Sequence, residues 1–405
     1  MNAAAELIGL ALLVLTVLAA VPAAVFCAEV FAGIFRRDAV DPGDAGLQVP
    51  RTDPLVVLMP AHDEAAGIAV VIAAVLRQLG PGDRLLVVAD NCSDATASIA
   101  RAAGAEVCER TDPERRGKGY ALDHGVRWLE SAPPAVVIVL DADCMVAPHA
   151  LERLARHCLT TQRPVQSLNL MHALPGAPLR LRIAEFAWRV KNRLRPRGCA
   201  VFGWPCQLMG TGMAFPWPVI RDASLATGDL VEDMQLGLDL AAAGSPPLFY
   251  EPAMITSAFP SDPQGARAQR TRWEHGHLSV IARAGPRLLR LAWRRREPAL
   301  AGMAFDMMVP PIAALVLGLV AIFLIDLIWY GLTDDGRALL VAAVALATLT
   351  VSVLAAWWSD GRRSVSLREL LGLPWYVAAK IPVYVRLFTR RQIEWIRTKR
   401  DDEPT

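Results

Sequence analysis

The sequence predicts an α/β protein, a mostly parallel sheet with helices on both faces and membrane-crossing helices at both ends of the chain. Three observations carry this expectation. Short apolar runs alternate with helical stretches between residues 55 and 140. Three uncharged stretches are long enough to cross a bilayer, which takes roughly 20 residues. Of the 405 residues, 54% are hydrophobic and mean hydropathy is +0.32. With Gly counted in place of Tyr the apolar share is about 60%, against roughly 45–50% in soluble domains. That excludes a disordered chain and argues against a purely soluble enzyme. A net charge of +2 gives no support to nucleic-acid binding.

The uncharged stretches are Leu7–Ala28, Met307–Ile325 and Ala338–Ser359. The first is read as a retained anchor and not a signal peptide, because its leading end lacks Lys and Arg and carries Glu6. Basic residues set the orientation. Arg36 and Arg37 follow the first stretch, six arginines from Arg283 to Arg296 precede the second, and Arg362, Arg363 and Arg368 follow the third. The turn between the last two holds Asp334, Asp335 and Arg337 and is net acidic. The expected topology has the N-terminus outside and residues from about 36 to 300 in the cytoplasm. Domain boundaries follow: an anchor at 1–37, a Pro/Gly/Asp-rich linker at 38–54, a globular domain at 55–282, a basic segment with a membrane hairpin at 283–360, and a basic tail at 361–405.

Within the globular domain the reading places a strand at Leu55–Ala61, a helix at Ala65–Leu79 and a strand at Arg84–Asp90. A helix from Asp94 to Ala103, a strand at Glu106–Glu109, a helix after Gly117 and a strand at Ala135–Leu140 follow. Ligands of such sheets bind beyond the carboxyl ends of strands, so Asp90 and Asp141 should face one cleft. From Leu179 to Arg197 the pattern changes. Ile183, Phe186, Ala187, Val190 and Leu194 share one helical face, ringed by Arg182, Arg189, Lys191, Arg193, Arg195 and Arg197. A basic amphipathic helix of this kind suits a membrane surface; the alternative is a helix packed on the domain with a solvated basic face. Leu370–Arg391 is read as a second interfacial helix, because a fourth span would carry its basic end outside. Seven scattered cysteines without a CxxC pair form neither a disulfide framework nor a zinc site.

Several residues could carry chemistry. Asp141-Ala-Asp143 ends a strongly apolar strand, and paired carboxylates suit Mg²⁺ or Mn²⁺, although Asp at a strand end also serves turns and caps. Asp90 ends another strand, ahead of Asp94, which fits a helix cap. Lys118 lies between Gly117 and Gly119 at a helix start, where a phosphate contact and a simple turn are equal alternatives. Glu232 and Asp233 open an amphipathic helix and either complement its dipole or supply a general base. Gln269-Arg-Thr-Arg-Trp273 combines a guanidinium fork for phosphate with a broad ring face for a sugar. His275 and His277 fall on different sides of a helix, which disfavours a shared metal.

In this order, Pro60-Ala-His-Asp-Glu64, Asp90, Asp141-Ala-Asp143, Gly210-Thr-Gly212, Glu232-Asp233 and the QxxRW-type box resemble a membrane-bound family 2 glycosyltransferase of the GT-A fold. The likeness is to the synthases of cellulose, hyaluronan and chitin, and it covers about residues 55–282. It departs in having Asp63 where Asn is more usual, Cys92 and Ser93 after Asn91, and only two clear C-terminal spans. The resemblance implies roles. Asp63, Glu64 and Lys118 would border the donor, and Asp90 would hold its base or ribose. Asp141 and Asp143 would hold the diphosphate, Asp143 through Mg²⁺ or Mn²⁺. Asp233, beside Glu232, would be the catalytic base. Gln269, Arg272 and Trp273 would meet the diphosphate and acceptor, and Gly210, Thr211 and Gly212 would line the acceptor side.

The implied reaction is inverting transfer from a nucleotide-sugar, a UDP-sugar by preference, to a glycan or lipid-linked acceptor. It would take place at the cytoplasmic face of a bacterial inner membrane, with membrane lipids as neighbours and no nucleic acid. Transfer of one sugar to a membrane lipid is the alternative within this class. A catalytically inactive tethered sugar-nucleotide binder is the alternative outside it.

Overall fold

The computed structural model describes residues 3–36, 51–227, 231–259 and 263–384, with the backbone alone at 263–272. The chain divides into two compact units. One comprises 51–176 and 204–276; the other comprises 3–36, 177–203 and 277–384. The grouping differs from a domain running unbroken from 55 to 282, because 177–203 packs with the long apolar helices.

The first unit is built on one sheet. Apolar runs place β1 (Leu55–Ala61) and β2 (Arg84–Asp90) where the sequence reading has them. β3 (Glu106–Arg110) and β4 (Val136–Val139) complete a parallel set. Alternation along β1 divides its side chains between two cores. Leu55, Val57 and Met59 face α2 (Ile68–Leu76), α3 (Thr96–Ala102) and α5 (Ala150–Thr161). Val56 and Leu58 face α4 (Lys118–Leu129) and α9 (Glu232–Ala242). Strands covered on both faces read as unbroken apolar runs, which is why they were visible in the sequence.

The rest of the sheet is mixed. Its order is β3-β2-β1-β4-β7-β6-β8-β5. β5 is Met145–Val146, β6 Val165–His172, β7 Met213–Pro216 and β8 Leu248–Ala258. β7 is antiparallel to both β4 and β6, and β5 is antiparallel to β8. α2 starts three residues later than its pattern suggests. Glu64 O first accepts Gly67 and Ile68 N–H in a turn, while Ala65 N–H goes to Asp94 Oδ2 at 3.1 Å. The other oxygen of Asp94 takes Thr96 N–H at 2.9 Å, so Asp94 serves the start of α3 as its residue type suggests.

In the second unit, α1 (Ala3–Phe35), α12 (Ile312–Thr333) and α13 (Arg337–Ala356), extended by a wider turn through Gly361, are long and apolar enough to cross a membrane. The second apolar stretch is shifted from its expected place. Met307 and Met308 end α11 (Pro298–Met308), and Pro310-Pro311 breaks the chain before α12 begins. α12 therefore includes Asp326, whose Oδ2 accepts the Thr16 hydroxyl of α1 at 2.9 Å. Residues 361–384 form only short helices, α14 (Leu367–Leu370) and α15 (Leu373–Ala378) among them. The remainder of the expected interfacial helix and the basic tail, 385–405, lie outside the described residues, as does most of the expected linker, 37–50.

The basic amphipathic segment forms α6 (Leu179–Arg189), a wide turn at Val190–Leu194, and α7 (Arg195–Val201). Its apolar face does form: Ile183, Phe186, Val190 and Leu194 pack with Ala23, Phe26 and Val30 of α1. Four of its arginines are engaged by acids. Arg182 pairs with Glu369, Arg189 with Glu185 and Arg193 with Asp360. Arg195 is buried between Glu29 and Asp306, at 2.6 Å from each. Arg195 is the cation that both acids share, and removing one partner of a buried pair typically costs about 3–5 kcal/mol.

Two outcomes test these packing statements. Gly212, which opens β7, has φ +66°, and a Cβ there would stand 1.9 Å from Ser167 Oγ and 2.7 Å from Ile255 Cδ1. Gly212→Ala should lower stability by about 1–3 kcal/mol from backbone strain alone, read as a lower melting temperature of the detergent-purified protein; an unchanged value contradicts the close approach. In the other unit His277 is buried, 3.2 Å from Met307 O. Burial, with the nearby charges of Lys191 and Arg195, pushes its imidazole down to about 3. The unfolded chain takes up this proton near pH 6.5. The stability carried by neutral His277 is thus complete above about pH 6.5 and is lost as pH falls toward 3, by up to about 1.4 kcal/mol per unit. His277→Gln should flatten the fall in melting temperature between about pH 7 and 5; an equally steep fall rules the account out.

Candidate active site

The parallel strands β1, β2 and β4 end side by side, and their carboxyl ends carry His62 and Asp63, Asp90, and Asp141. The antiparallel β7 starts at the same edge. Its register pairs Val139 with Met213, and Gly212 N–H donates to Val139 O at 2.9 Å. The turn before it, Gly210-Thr211-Gly212, therefore lies against the start of the DxD segment. Asp141 N–H donates to Thr211 Oγ1 at 3.0 Å, fixing the two segments together. Gln166 holds the same turn from β6, donating to Thr211 O at 2.9 Å and accepting Met209 N–H at 2.8 Å.

Lys118 sits at the centre. It opens α4, and its ammonium binds Asp141 Oδ1 and donates to Gly210 O at 2.7 Å. Burial alone would push this ammonium down; Asp141, with Glu232 and Asp233, more than offsets that, and the net shift is upward. Lys118 is therefore a fixed cation at any physiological pH. Gly210, at φ +86°, lies beside Asp233: a Cβ there would be 3.3 Å from Asp233 Oδ2 and 3.7 Å from Lys118 Nζ. Asp141, Lys118, Gly210 and Asp233 thus meet at one place. A small pocket with room for about one water lies beside them, lined by Lys118, Gly119, Ser224, Thr227, Glu232 and Asp233. Gly119 lets the 225–227 segment approach, since a Cβ there would be 2.5 Å from Leu225 O.

Glu232 and Asp233 occupy the first turn of α9, where the helix dipole favours carboxylates. Asp233 Oδ1 accepts Met234 N–H at 2.8 Å, and Oδ2 is the oxygen beside Gly210. Asp229 and Leu230, just before this turn, lie outside the described residues. Val231 meets the next helix, α10 (Pro263–Arg295): a Cβ on Gly276 would be 2.7 Å from Val231 Cγ1. Residues 269, 272 and 273 lie on the same helix at i, i+3 and i+4, which places them on one face. Trp273 is half-buried, and the side chains of Gln269 and Arg272 lie outside the described residues. His275 and His277 are both buried, and among the described residues neither belongs to a cluster of metal-ligating groups.

Asp90 is 6% exposed, and its Oδ1 accepts Arg110 Nη1–H at 2.7 Å and Asn91 Nδ2–H at 3.1 Å. Arg110 also binds Asp112 and the Arg115 carbonyl, and it lies 5.5 Å over the Tyr120 ring. Sequence reasoning missed Arg110 and Gln166. The only signal for Arg110 was a basic residue ending the strand after Asp90, and it gains meaning from the β2–β3 register that sets it opposite Asp90.

Asp63 sits in the left-handed region at φ +53°, and its carboxylate caps the β2–α3 loop by accepting from Ser93 N–H, Ser93 Oγ–H and Asp94 N–H. Glu64 N–H donates to Thr96 Oγ1 at 2.7 Å. Both therefore tie the β1 loop to the β2 loop around Asp90.

The donor set at the DxD segment fits a divalent cation. Ligand atoms of Asp141, Asp143 and Cys144 lie within 4.8 Å of one another. Two carboxylates supply the hard oxygen donors that Mg²⁺ and Mn²⁺ prefer. Burial, helped by Asp143 and Asp141, pushes the Cys144 thiol well up, so the carboxylates are the available ligands.

Comparison with known proteins agrees with this architecture. A mannosyltransferase from Pyrobaculum calidifontis, solved with GDP-Man and Mn2+, has TM-score 0.56 at 16% identity, covering 96% of this chain and 100% of that one. Glucosyl-3-phosphoglycerate synthase from Mycobacterium tuberculosis, solved with Mn2+ and UDP, has TM-score 0.39 at 21% identity, covering 58% of this chain and 81% of that one. No curated protein sequence matches the chain significantly. The mixed sheet and its flanking helices are GT-A-like. The family model described as "Glycosyltransferase like family 2" matches residues 50–276, more than half of the sequence. The chain belongs to glycosyltransferase-like family 2.

Proposed function

We propose that this glycosyltransferase moves a sugar, with inversion, from a nucleotide-sugar to a polysaccharide or lipid-linked acceptor at the cytoplasmic face of a membrane. The observation that carries the proposal is the meeting of Asp233, Gly210, Lys118 and Asp141 beside one small pocket. Direct displacement needs a base for the acceptor hydroxyl and positive charge for the leaving diphosphate. Asp233 Oδ2 takes the acceptor proton as the acceptor oxygen bonds to the anomeric carbon. The bond from that carbon to the diphosphate breaks on the opposite side, and the nucleoside diphosphate leaves with the electron pair. Lys118 lies where it can meet that charge, and its tie to Gly210 O holds the acceptor turn in place. A cation at Asp143, with Asp141, would act as a Lewis acid on the diphosphate. Asp90, held by Arg110, is assigned to the base or ribose. Gln269, Arg272 and Trp273 are assigned to the diphosphate and acceptor, on the strength of their shared helix face.

The likeness to a mannosyltransferase holding GDP-Man and Mn2+ supports a nucleoside diphosphate sugar and a divalent metal as the working pair. Three span-length helices support attachment to the bilayer. They also favour a second reading, transfer of a single sugar to a membrane lipid, because few spans among the described residues could form an export channel. Product length from a labelled donor separates the two.

Two substitutions test the roles. Asp233→Asn should keep nucleotide-sugar binding and lower kcat by about 10²–10⁴-fold; turnover within a few-fold of the parent protein would remove Asp233 from the role of base. Asp143→Ala should abolish the gain in nucleotide affinity that Mn²⁺ confers, measured by calorimetry with and without the metal. Equal Mn²⁺ enhancement in parent and variant would place the metal elsewhere.

A further inference from the structure

The second unit carries two sets of arginines with opposite fates. Within 179–197, Arg182, Arg189, Arg193 and Arg195 are paired with acids, as described above. The second set lies on the later part of α10. Arg283, Arg287, Arg290 and Arg294 recur at i, i+4, i+7 and i+11, and all four are exposed. Gly285, Leu288 and Ala292, on the other side of the helix, are buried. A Cβ on Gly285 would be 3.1 Å from Met308 Cγ, so this side rests on the end of α11. Among the described residues, Arg287, Arg290 and Arg294 have no ion pair, hydrogen bond or ring contact. Trp293, beside them on the outer side, is 86% exposed. The helix dipole accounts for cations in the last turn only, which leaves Arg287 and Arg290 unexplained. Glu297 is the nearest acid in sequence and begins the next helix.

We infer that the outer face of α10 at Arg287, Arg290, Trp293 and Arg294 is a docking surface for anionic phospholipid headgroups. The inference rests on α12 being a membrane span. α10 packs on Met307 and Met308, and α12 begins at Ile312, after Pro310-Pro311. Gly285, two residues before Arg287, therefore packs on Met307 and Met308, four to five residues ahead of the start of α12. Charge complementarity selects anionic over zwitterionic headgroups, and an indole ring beside the cations suits the interface between headgroups and acyl chains. Each arginine near an anionic surface contributes roughly five-fold in local lipid affinity, and three together about a hundred-fold. This surface is separate from the 179–197 segment, where the sequence alone suggests membrane contact.

The test uses the full chain in nanodiscs of phosphatidylcholine containing either brominated phosphatidylglycerol or brominated phosphatidylcholine. Quenching of Trp293 is read as the fluorescence difference between the parent protein and Trp293→Phe. Brominated phosphatidylglycerol should quench several-fold more strongly than brominated phosphatidylcholine at low salt, and the preference should shrink at high salt. Combined Arg287→Gln, Arg290→Gln and Arg294→Gln should abolish the preference, while the matching three Arg→Lys changes should keep it. Equal quenching by the two lipids in the parent protein, or a preference untouched by the Gln substitutions, overturns the inference. If the Gln variant fails to fold, loss of the preference on Arg290→Glu alone supports the surface and its retention overturns it. Sugar transfer is not measured, so failure here leaves the catalytic reading standing.

Discussion

One ammonium group holds the acidic edge of the sheet together. Asp141, Glu232 and Asp233 converge where burial strengthens their mutual repulsion, and Lys118 supplies the cation that makes the arrangement tolerable. Its second bond, to Gly210 O, ties that charge balance to the backbone turn beside Asp233. The Asp141 carboxylate and the Gly210 turn are thereby referred to one atom. The glycines around it follow from the same crowding: Gly210 lies against Asp233 and Lys118, Gly212 against Ser167, and Gly119 against Leu225 O. Side chains at these positions would push apart segments that the fold holds in contact.

The other unit solves a comparable problem with different means. Arg195 is buried between two acids contributed by α1 and α11, and Arg193 and Arg182 meet Asp360 and Glu369. These pairs join segments distant in sequence, so their value lies as much in fixing which helix meets which as in net stability. The close approach of Gly198 to Glu29 O and of Gly33 to Leu194 O points the same way: α1 and the 190–201 segment pack backbone to backbone.

Much of this was legible in the sequence, and the limits have physical causes. β1 and β2 were readable to the residue because both faces of each strand are covered, which leaves an apolar run bounded by polar turns. The antiparallel insertion of β7 was invisible, since four residues carry no directional signal. The start of α12 was misplaced because hydropathy does not register that Pro310-Pro311 ends one helix before another begins. The arginines of 179–197 looked solvent- or lipid-facing because their acid partners, Glu29, Asp306, Asp360 and Glu369, lie more than a hundred residues away. Of the candidate site, Asp90, Lys118, Asp141, Gly210 and Asp233 were singled out by type and order; the last four meet at one place, and Asp90 ends a strand on the same edge of the sheet. Arg110 and Gln166 were not found, because their meaning depends on strand register. The loop-capping bonds of the Asp63 carboxylate were not legible, because they join segments thirty residues apart.

The central claim is that one carboxylate base and one cationic leaving-group site work on opposite sides of a single anomeric carbon. The direct measurement is the anomeric configuration of the first glycosidic bond formed by the purified protein from an isotopically labelled nucleotide-sugar, read by NMR before any product rearrangement. The account predicts a linkage inverted relative to the donor. A product that retains the donor's configuration would contradict it.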